Sequence, residues 1–352
     1  MGISISKKNK TIQINDFNMV TIPKGYELIK LATFNINIRN TVNISNKIKE
    51  ILIFIKSSFK NKDIDIFCLQ GILDYNSAYK LIKEVKKYGR QTNNKFYFGP
   101  EFENIDSKSE KFISMKDKIS TGLLKKKIEV QNIIISKYPI VTTLYSELDD
   151  KLYIDDILGT KTIIGANISI YGNIISVYNT TLSKDIKSAN LVNSDVRNKE
   201  LKVVFKIIEE NKKKLKTDEF KHYFLTDIHM LAGTLFIKET YGLDLNQEFI
   251  DFMQKYKCVD IFRIMCEDNI GHTNTSKERV DYILFLLTDM MYNKSNHKKL
   301  KSIEGCNDLF KLIFKIYKIY FIDIIIRNDI YTGNSYSNFP LECTFMMYKN
   351  RH

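Results

Sequence analysis

Short apolar runs of strand length alternate along this chain with amphipathic helical repeats. That alternation restricts the fold to layered α/β arrangements. Leu28 to Asn35, Ile64 to Leu69, Lys95 to Glu103, Val130 to Ser136 and Ile140 to Leu148 read as strands. Lys161 to Tyr171 and Asn173 to Leu182 meet at Tyr171-Gly172-Asn173, a hairpin signal. Tyr223 to Thr226, Val280 to Leu287, Ile319 to Ile326 and Leu341 to Tyr348 supply the later strands. Ile44, Ile48, Ile51, Leu52, Ile55 and Phe59 recur at helical spacing, with Asn43 or Ser45 as cap. Asn76 to Tyr88 predicts a short basic helix with Leu81 and Val85 inward. Leu201 to Leu215 predicts a long amphipathic helix whose Lys212-Lys213-Lys214 end suits the helix dipole. Two short helices are expected within 231–256, a polar loop over 104–120 and a polar insertion over 288–308. Strands interleaved with helices and hairpins imply an α/β fold: a two-sheet β-sandwich flanked by helices. It forms one domain over residues 28–352, preceded by an N-terminal extension, residues 1–27.

Composition narrows the class. No uncharged apolar run reaches the ~18 residues of a membrane-spanning helix; the nearest, Leu309 to Ile326, is broken by Lys311, Lys315, Lys318 and Asp323. No secretory h-region is present. The five cysteines are odd in number and form no Cys-x-x-Cys pair, which fits free thiols in a reducing, intracellular compartment. The formal charge of +13 points to nucleic acid or an anionic membrane as partner. The charge is nearly all Lys, however. Abundant Lys, Asn and Ile with no Trp is also the imprint of AT-rich coding, as in many large DNA viruses. Arg, the better planar partner for phosphate, is not enriched.

Six segments carry more than composition. In order they are Leu31-Ala-Thr-Phe-Asn35, Leu69-Gln70-Gly71, Ser136-Lys-Tyr-Pro-Ile140, Asn179-Thr-Thr-Leu182, Thr226-Asp-Ile-His229 and Arg279-Val-Asp-Tyr282, followed by Ser337-Asn-Phe-Pro340. Together they resemble the endonuclease/exonuclease/phosphatase superfamily over roughly residues 28–348. The resemblance implies a DNase I-like sandwich with a phosphodiester-hydrolysing site at one rim. Such a site needs a divalent cation, a base to activate water and donors for developing charge. The stretch from Asn179 to Met230 is most similar to the neutral sphingomyelinase branch.

The resemblance also shows departures. Asn35, Asp227 and Asp281 match family positions and are expected to converge. Where the family has its metal-binding Glu, this chain has Gly71. The family His of the Asn-Thr-His-Leu strand is Thr181, which does not titrate near neutrality. The Asn of Gly-Asp-Phe/Leu-Asn is matched to His229, and the final Asp-His pair to Asn338 and Phe339. Acid–base assistance alone contributes roughly 10²- to 10⁴-fold, so their joint loss points to a pseudoenzyme used for binding or scaffolding. No cofactor is expected on that reading. The alternative is an active hydrolase using Mg²⁺ or Mn²⁺ at a rearranged site, with Asp227 and His229 joining Asp281 and Asn35 as ligands. His272 reads as a loop residue, and His222, His297 and His352 have no evident partners.

The N-terminus adds one signal. Met1-Gly-Ile-Ser-Ile-Ser6 matches the N-myristoylation pattern at Gly2, and Lys7, Lys8 and Lys10 follow. One acyl chain binds membranes only marginally; a basic patch supplies the second attachment. The expected setting is the cytoplasmic side of a cell, at a membrane or in a virion, with a protein partner. A non-cleaving nucleic-acid-binding protein is the third reading.

Overall fold

A computed structural model describes residues 10–15, 18–37, 44–61, 63–72, 75–100, 131–148, 161–184, 194–237, 240–241, 244–245, 247–266, 271–273, 278–287, 313, 317–327 and 339–349. The first half holds a hairpin of β1 (Lys10–Asn15) and β2 (Asn18–Ile22), then β3 (Tyr26–Asn35), α1 (Ile44–Asn61), β4 (Ile66–Gln70) and α2 (Tyr75–Gln91). Next come β5 (Tyr97–Gly99), β6 (Ile133–Ser136), β7 (Ile140–Glu147), β8 (Thr162–Ile170) and β9 (Asn173–Thr181). The second half holds α3 (Ser194–Leu215), β10 (Ile228–Thr234), β11 (Thr240–Tyr241), β12 (Asp244–Leu245), α4 (Gln247–Tyr256), β13 (Cys258–Asp260), α5 (Ile261–Met265), β14 (Asp281–Leu286), β15 (Ile319–Ile326) and β16 (Leu341–Tyr348).

Two six-stranded sheets result, in the orders β13-β14-β10-β9-β8-β7 and β15-β16-β3-β4-β6-β5. Alternate residues of each strand point inward, as the two-residue strand period requires. Leu31, Cys68, Ile134 and Cys343 of one sheet meet Ile164, Val177, Met230 and Ile283 of the other in the inter-sheet core. The outer faces are apolar too. Ala32, Phe34, Phe67 and Ile135 pack under α1 and α2, and Tyr178, Leu231, Tyr282 and Leu284 under α3 and α4. Strands buried on both faces read as near-continuous apolar runs, which is why most were legible.

Three expectations are corrected. The segment Tyr223 to Thr226 is not a strand; the strand is β10, Ile228–Thr234. Among the described residues, 231–256 therefore holds the end of a central strand, the short strands β11 and β12 and one helix, α4, instead of two short helices. The long helix α3 starts at Ser194, seven residues before the expected Leu201, because its first turns bury Val196, Arg197 and Glu200. Arg197 is held by Glu248 at 3.0 Å, and Glu200 by the Ser183 amide at 2.8 Å. The hairpin at Tyr171 is present, with Tyr171 and Gly172 both at positive φ (48° and 76°). That is the conformation a two-residue hairpin turn demands. Residues 1–9, including Gly2, Lys7 and Lys8, and the segments 104–120 and 288–308 lie outside the described residues.

Candidate rim site

One rim of the sandwich is polar where the rest of the inter-sheet space is apolar. The periodicity that places Leu31, Cys68, Val177, Ala232 and Ile283 inward also aims Thr33, Asn35, Gln70, Asn179, Thr234 and Asp281 inward at the strand ends. All six are buried. Buried polar groups at such a density are tolerable only when paired, and here they bridge the sheets. Asn35 Nδ2 donates to Thr234 Oγ1 at 3.0 Å, and Thr234 Oγ1 donates to Asp281 Oδ1 at 2.5 Å. Beside this chain, Gln70 Nε2 donates to Thr33 Oγ1 at 2.8 Å and to Asn179 Oδ1 at 2.7 Å. Asn179 Nδ2 in turn donates to the Leu69 and Ile133 carbonyls at 2.9 and 3.0 Å.

Several residues singled out by sequence come together here. Asn35 and Asp281, far apart in the chain, are joined through Thr234. Gly71 lies against Asn35: a Cβ added at Gly71 would stand 2.4 Å from Asn35 Oδ1 and 2.7 Å from the Asn37 nitrogen, and its φ is +73°. That left-handed backbone excludes most side chains at little cost only for Gly. Asn35 Oδ1 also accepts from the Asn37 amide at 3.1 Å. Thr181, half-buried, pairs in register with Thr234 across the parallel β9–β10 ladder and donates to Asn132 Oδ1 at 3.3 Å. The Phe339 amide donates to the Thr273 carbonyl at 2.7 Å, and Thr273 Oγ1 accepts from the Asp281 amide at 3.1 Å, so Phe339 is tied to the loop that presents Asp281. Asn338 lies outside the described residues.

Two residues do not join them. Asp227 precedes β10, whereas the rim lies at the far end of that strand, roughly 20 Å away at ~3.3 Å per residue. His229 is on β10 but faces outward under α3, where Nδ1 meets Tyr178 Oη at 3.1 Å. Asn211 Nδ2 donates to the same Tyr178 oxygen at 2.8 Å. Burial, reinforced by Lys212 and Lys216, pushes the His229 imidazole down to about 3, so it is a neutral core group. A joint site of Asp227, His229, Asp281 and Asn35 is therefore not formed. The segment Thr226–His229 imitates the family motif by composition alone.

The rim residue that sequence reasoning missed is Thr234. The usable signal was Gly233-Thr234-Leu235-Phe236, which keeps the Gly and the Phe/Leu of Gly-Asp-Phe/Leu-Asn at their spacing. The register of β10 puts Thr234 opposite Asp281 and Phe236 just beyond the rim, half-buried and with φ of +53°. Thr234 thus stands where the resembled motif has Asp, and Phe236 where it has Asn.

Asp281 is the one rim carboxylate among these residues. Its Oδ2 has no hydrogen-bond partner among the described residues, and burial raises its pKa to about 7 against the pull of Thr234, Thr273 and Arg279. A raised carboxyl pKa means that the folded state holds its proton more tightly than the unfolded one. Stability from this group is full below about pH 4 and is lost as pH rises through about 7. The wild type should therefore lose stability relative to Asp281→Asn across that window, with a slope on the order of 1 kcal/mol per pH unit. Urea unfolding of both proteins from pH 4 to pH 8 measures it. Parallel curves would show that Asp281 is ionised throughout. His229 acts oppositely, since its stability is lost as pH falls below the unfolded value of 6.5; the difference between the two proteins removes that contribution.

No family model matches the chain, and no curated protein does. Solved structures do. A Staphylococcus aureus beta toxin superposes with a TM-score of 0.54 at 15% identity, over 90% of this chain and 99% of that one. D. rerio TDP2, complexed with a single-strand DNA product, gives 0.53 at 11% identity over 90% and 98%. An endonuclease/exonuclease/phosphatase family protein from Bacteroides thetaiotaomicron gives 0.53 at 11% over 93% and 99%. This chain has the endonuclease/exonuclease/phosphatase fold. Its two six-stranded sheets with outer helices are the DNase I-like sandwich that the ordered motifs implied.

Proposed function

We propose that this protein uses the endonuclease/exonuclease/phosphatase fold for binding or scaffolding, without phosphoester hydrolysis. The observation that carries the reading is the closed chain Asn35–Thr234–Asp281 with Gly71 packed against it. Mg²⁺ and Mn²⁺ take about six oxygen ligands, of which a protein usually supplies one or two carboxylates while water and substrate supply the rest. Asp281 offers one carboxylate, but Thr234 holds its Oδ1 and burial raises its pKa to about 7. Gly71 offers no side chain, and Nδ2 and Oδ1 of Asn35 both have protein partners. These residues do not fit Mg²⁺ or Mn²⁺. Thr181 and Phe339 do not supply the titrating groups that acid–base catalysis needs near neutrality.

The test is hydrolysis of bis(p-nitrophenyl) phosphate, DNA and sphingomyelin with Mg²⁺ or Mn²⁺, expected at background. Gly71→Glu should not raise it, and should lose stability by about 1–2 kcal/mol for a non-glycine residue in left-handed backbone. Metal-dependent turnover that disappears in Asp281→Asn would establish the rearranged-hydrolase alternative instead.

Attachment to an anionic membrane at the cytoplasmic side belongs to the same proposal, through myristate on Gly2 and the lysines after it. A myristate analogue should label the wild type in eukaryotic cells, and Gly2→Ala should abolish labelling and move the protein to the soluble fraction. Retention of Met1, read by mass spectrometry, would refute acylation. The charge of +13 favours nucleic acid as second reading. A salt-dependent mobility shift with DNA, and no vesicle binding, would favour it.

A further inference from the structure

We propose that the paired helices α1 and α2 form a second, acyl-independent contact with an anionic lipid bilayer. Both helices bury their apolar stripes on the same outer sheet face: Ile51, Ile55 and Phe59 of α1, and Leu81, Ile82 and Val85 of α2. Their opposite faces therefore point outward together. They lie side by side, since Lys56 reaches Glu84 across the pair at 3.9 Å and stands 6.0 Å from the Tyr88 ring. On α1 the outward stripe is Lys49, Ile53, Lys56 and Lys60, spaced as one helical face. On α2 it is Lys80, Lys83, Lys87 and Arg90. The acidic residues among them are Glu50 and Glu84.

Ile53 lies on the outward stripe of α1 with 69% of its surface exposed, the highest value among the exposed large apolar residues described. A lone exposed Ile needs no explanation by itself. Its neighbours one turn away on α1 are Lys49, Glu50, Lys56 and Ser57, so an apolar group suited to the acyl boundary is flanked by cations suited to anionic headgroups. A nucleic-acid backbone would match the cations but not the Ile. Only one of the seven cations named is Arg, the residue better suited to bidentate phosphate contacts. The helix over the other sheet is less basic: α3 carries seven Lys and Arg against four acidic residues, where α1 and α2 carry nine against two.

The test uses full-length protein made in bacteria, which carries no myristate, so that it is separate from the Gly2 proposal. Flotation with phosphatidylcholine vesicles should show no binding, and vesicles containing phosphatidylserine should bind and release at high salt. Ile53→Asp should weaken binding by at least about tenfold. Lys83→Glu with Lys87→Glu should weaken it further, at about fivefold or more per lysine near the surface. These positions are exposed, so the folded state should survive, as circular dichroism checks. Lys213→Glu with Lys214→Glu, on α3, should leave binding unchanged. The proposal is overturned by absent binding, by equal loss from the α3 pair, or by an unaffected Ile53→Asp with duplex DNA bound more tightly than vesicles.

Discussion

Gly233→Ala is expected to destabilise the protein by about 3 kcal/mol or more, the upper range for forced overpacking. The new Cβ would stand 2.1 Å from the Thr180 carbonyl oxygen and 3.1 Å from the Thr180 nitrogen. Those atoms belong to the backbone of β9, the parallel neighbour of β10. A flexible side chain can move aside, but a paired central strand cannot without breaking its ladder. The damage reaches the rim, because Thr234 is the next residue and joins Asn35 to Asp281. Urea unfolding of wild type and variant measures the effect. A loss below about 1 kcal/mol, the ordinary propensity scale for a strand residue, would mean that the two strands lie farther apart. Amide hydrogen exchange then localises the change, with β9 and β10 expected to lose protection first.

Arg279→Ala should cost about 3–5 kcal/mol, because it leaves a charge buried without its partner. The Arg279 guanidinium donates to both oxygens of Asp260, at 2.5 and 2.7 Å, and the two side chains are 2% and 0% exposed. Asp260 also caps α5 by accepting from the Phe262 amide at 3.1 Å. The guanidinium carbon lies 4.5 Å from the Phe262 ring and 4.7 Å from the Tyr282 ring, so it is stacked as well as paired. Arg279→Lys keeps the charge but loses the planar fork and the stacking, and should recover less than half of the loss. Replacing both partners, as Arg279→Met with Asp260→Leu, should be much milder than Arg279→Ala alone. A double variant as unstable as the single one would show that packing, not charge, dominates. Denaturant midpoints of the three variants separate the outcomes.

This pair also helps to explain why Arg279-Val280-Asp281-Tyr282 is legible as a motif. Each residue there has a separate structural task. Arg279 neutralises Asp260, Val280 is buried, Asp281 faces the rim, and Tyr282 donates to the Ile237 carbonyl at 2.6 Å. So dense a set of requirements leaves a pattern that reads from sequence alone.

His229 and Thr234 show the opposite case. His229 looked like a site residue because it was matched to the Asn of the resembled motif, yet it faces outward under α3, where its Nδ1 meets Tyr178 Oη. Thr234 is easily passed over, since Gly233-Thr234-Leu235-Phe236 keeps only the Gly and the Phe/Leu of the resembled motif and carries no charge. Its importance comes from partners on β3 and β14, which no local window contains.

The sandwich class and most of the strands and helices followed from the sequence, because strand and helix periods are written in nearest-neighbour spacing. The hairpin at Tyr171-Gly172 followed for the same reason. Which end of β10 meets the rim did not. An apolar strand flanked by Asp227 at one end and Thr234 at the other reads equally well in two registers. Only pairing with β9 and β14 selected one, putting Thr234 against Asp281 and leaving Asp227 at the far end. Register is a property of the assembled sheet, fixed by contacts between residues distant in sequence, and the rim chemistry depends on it.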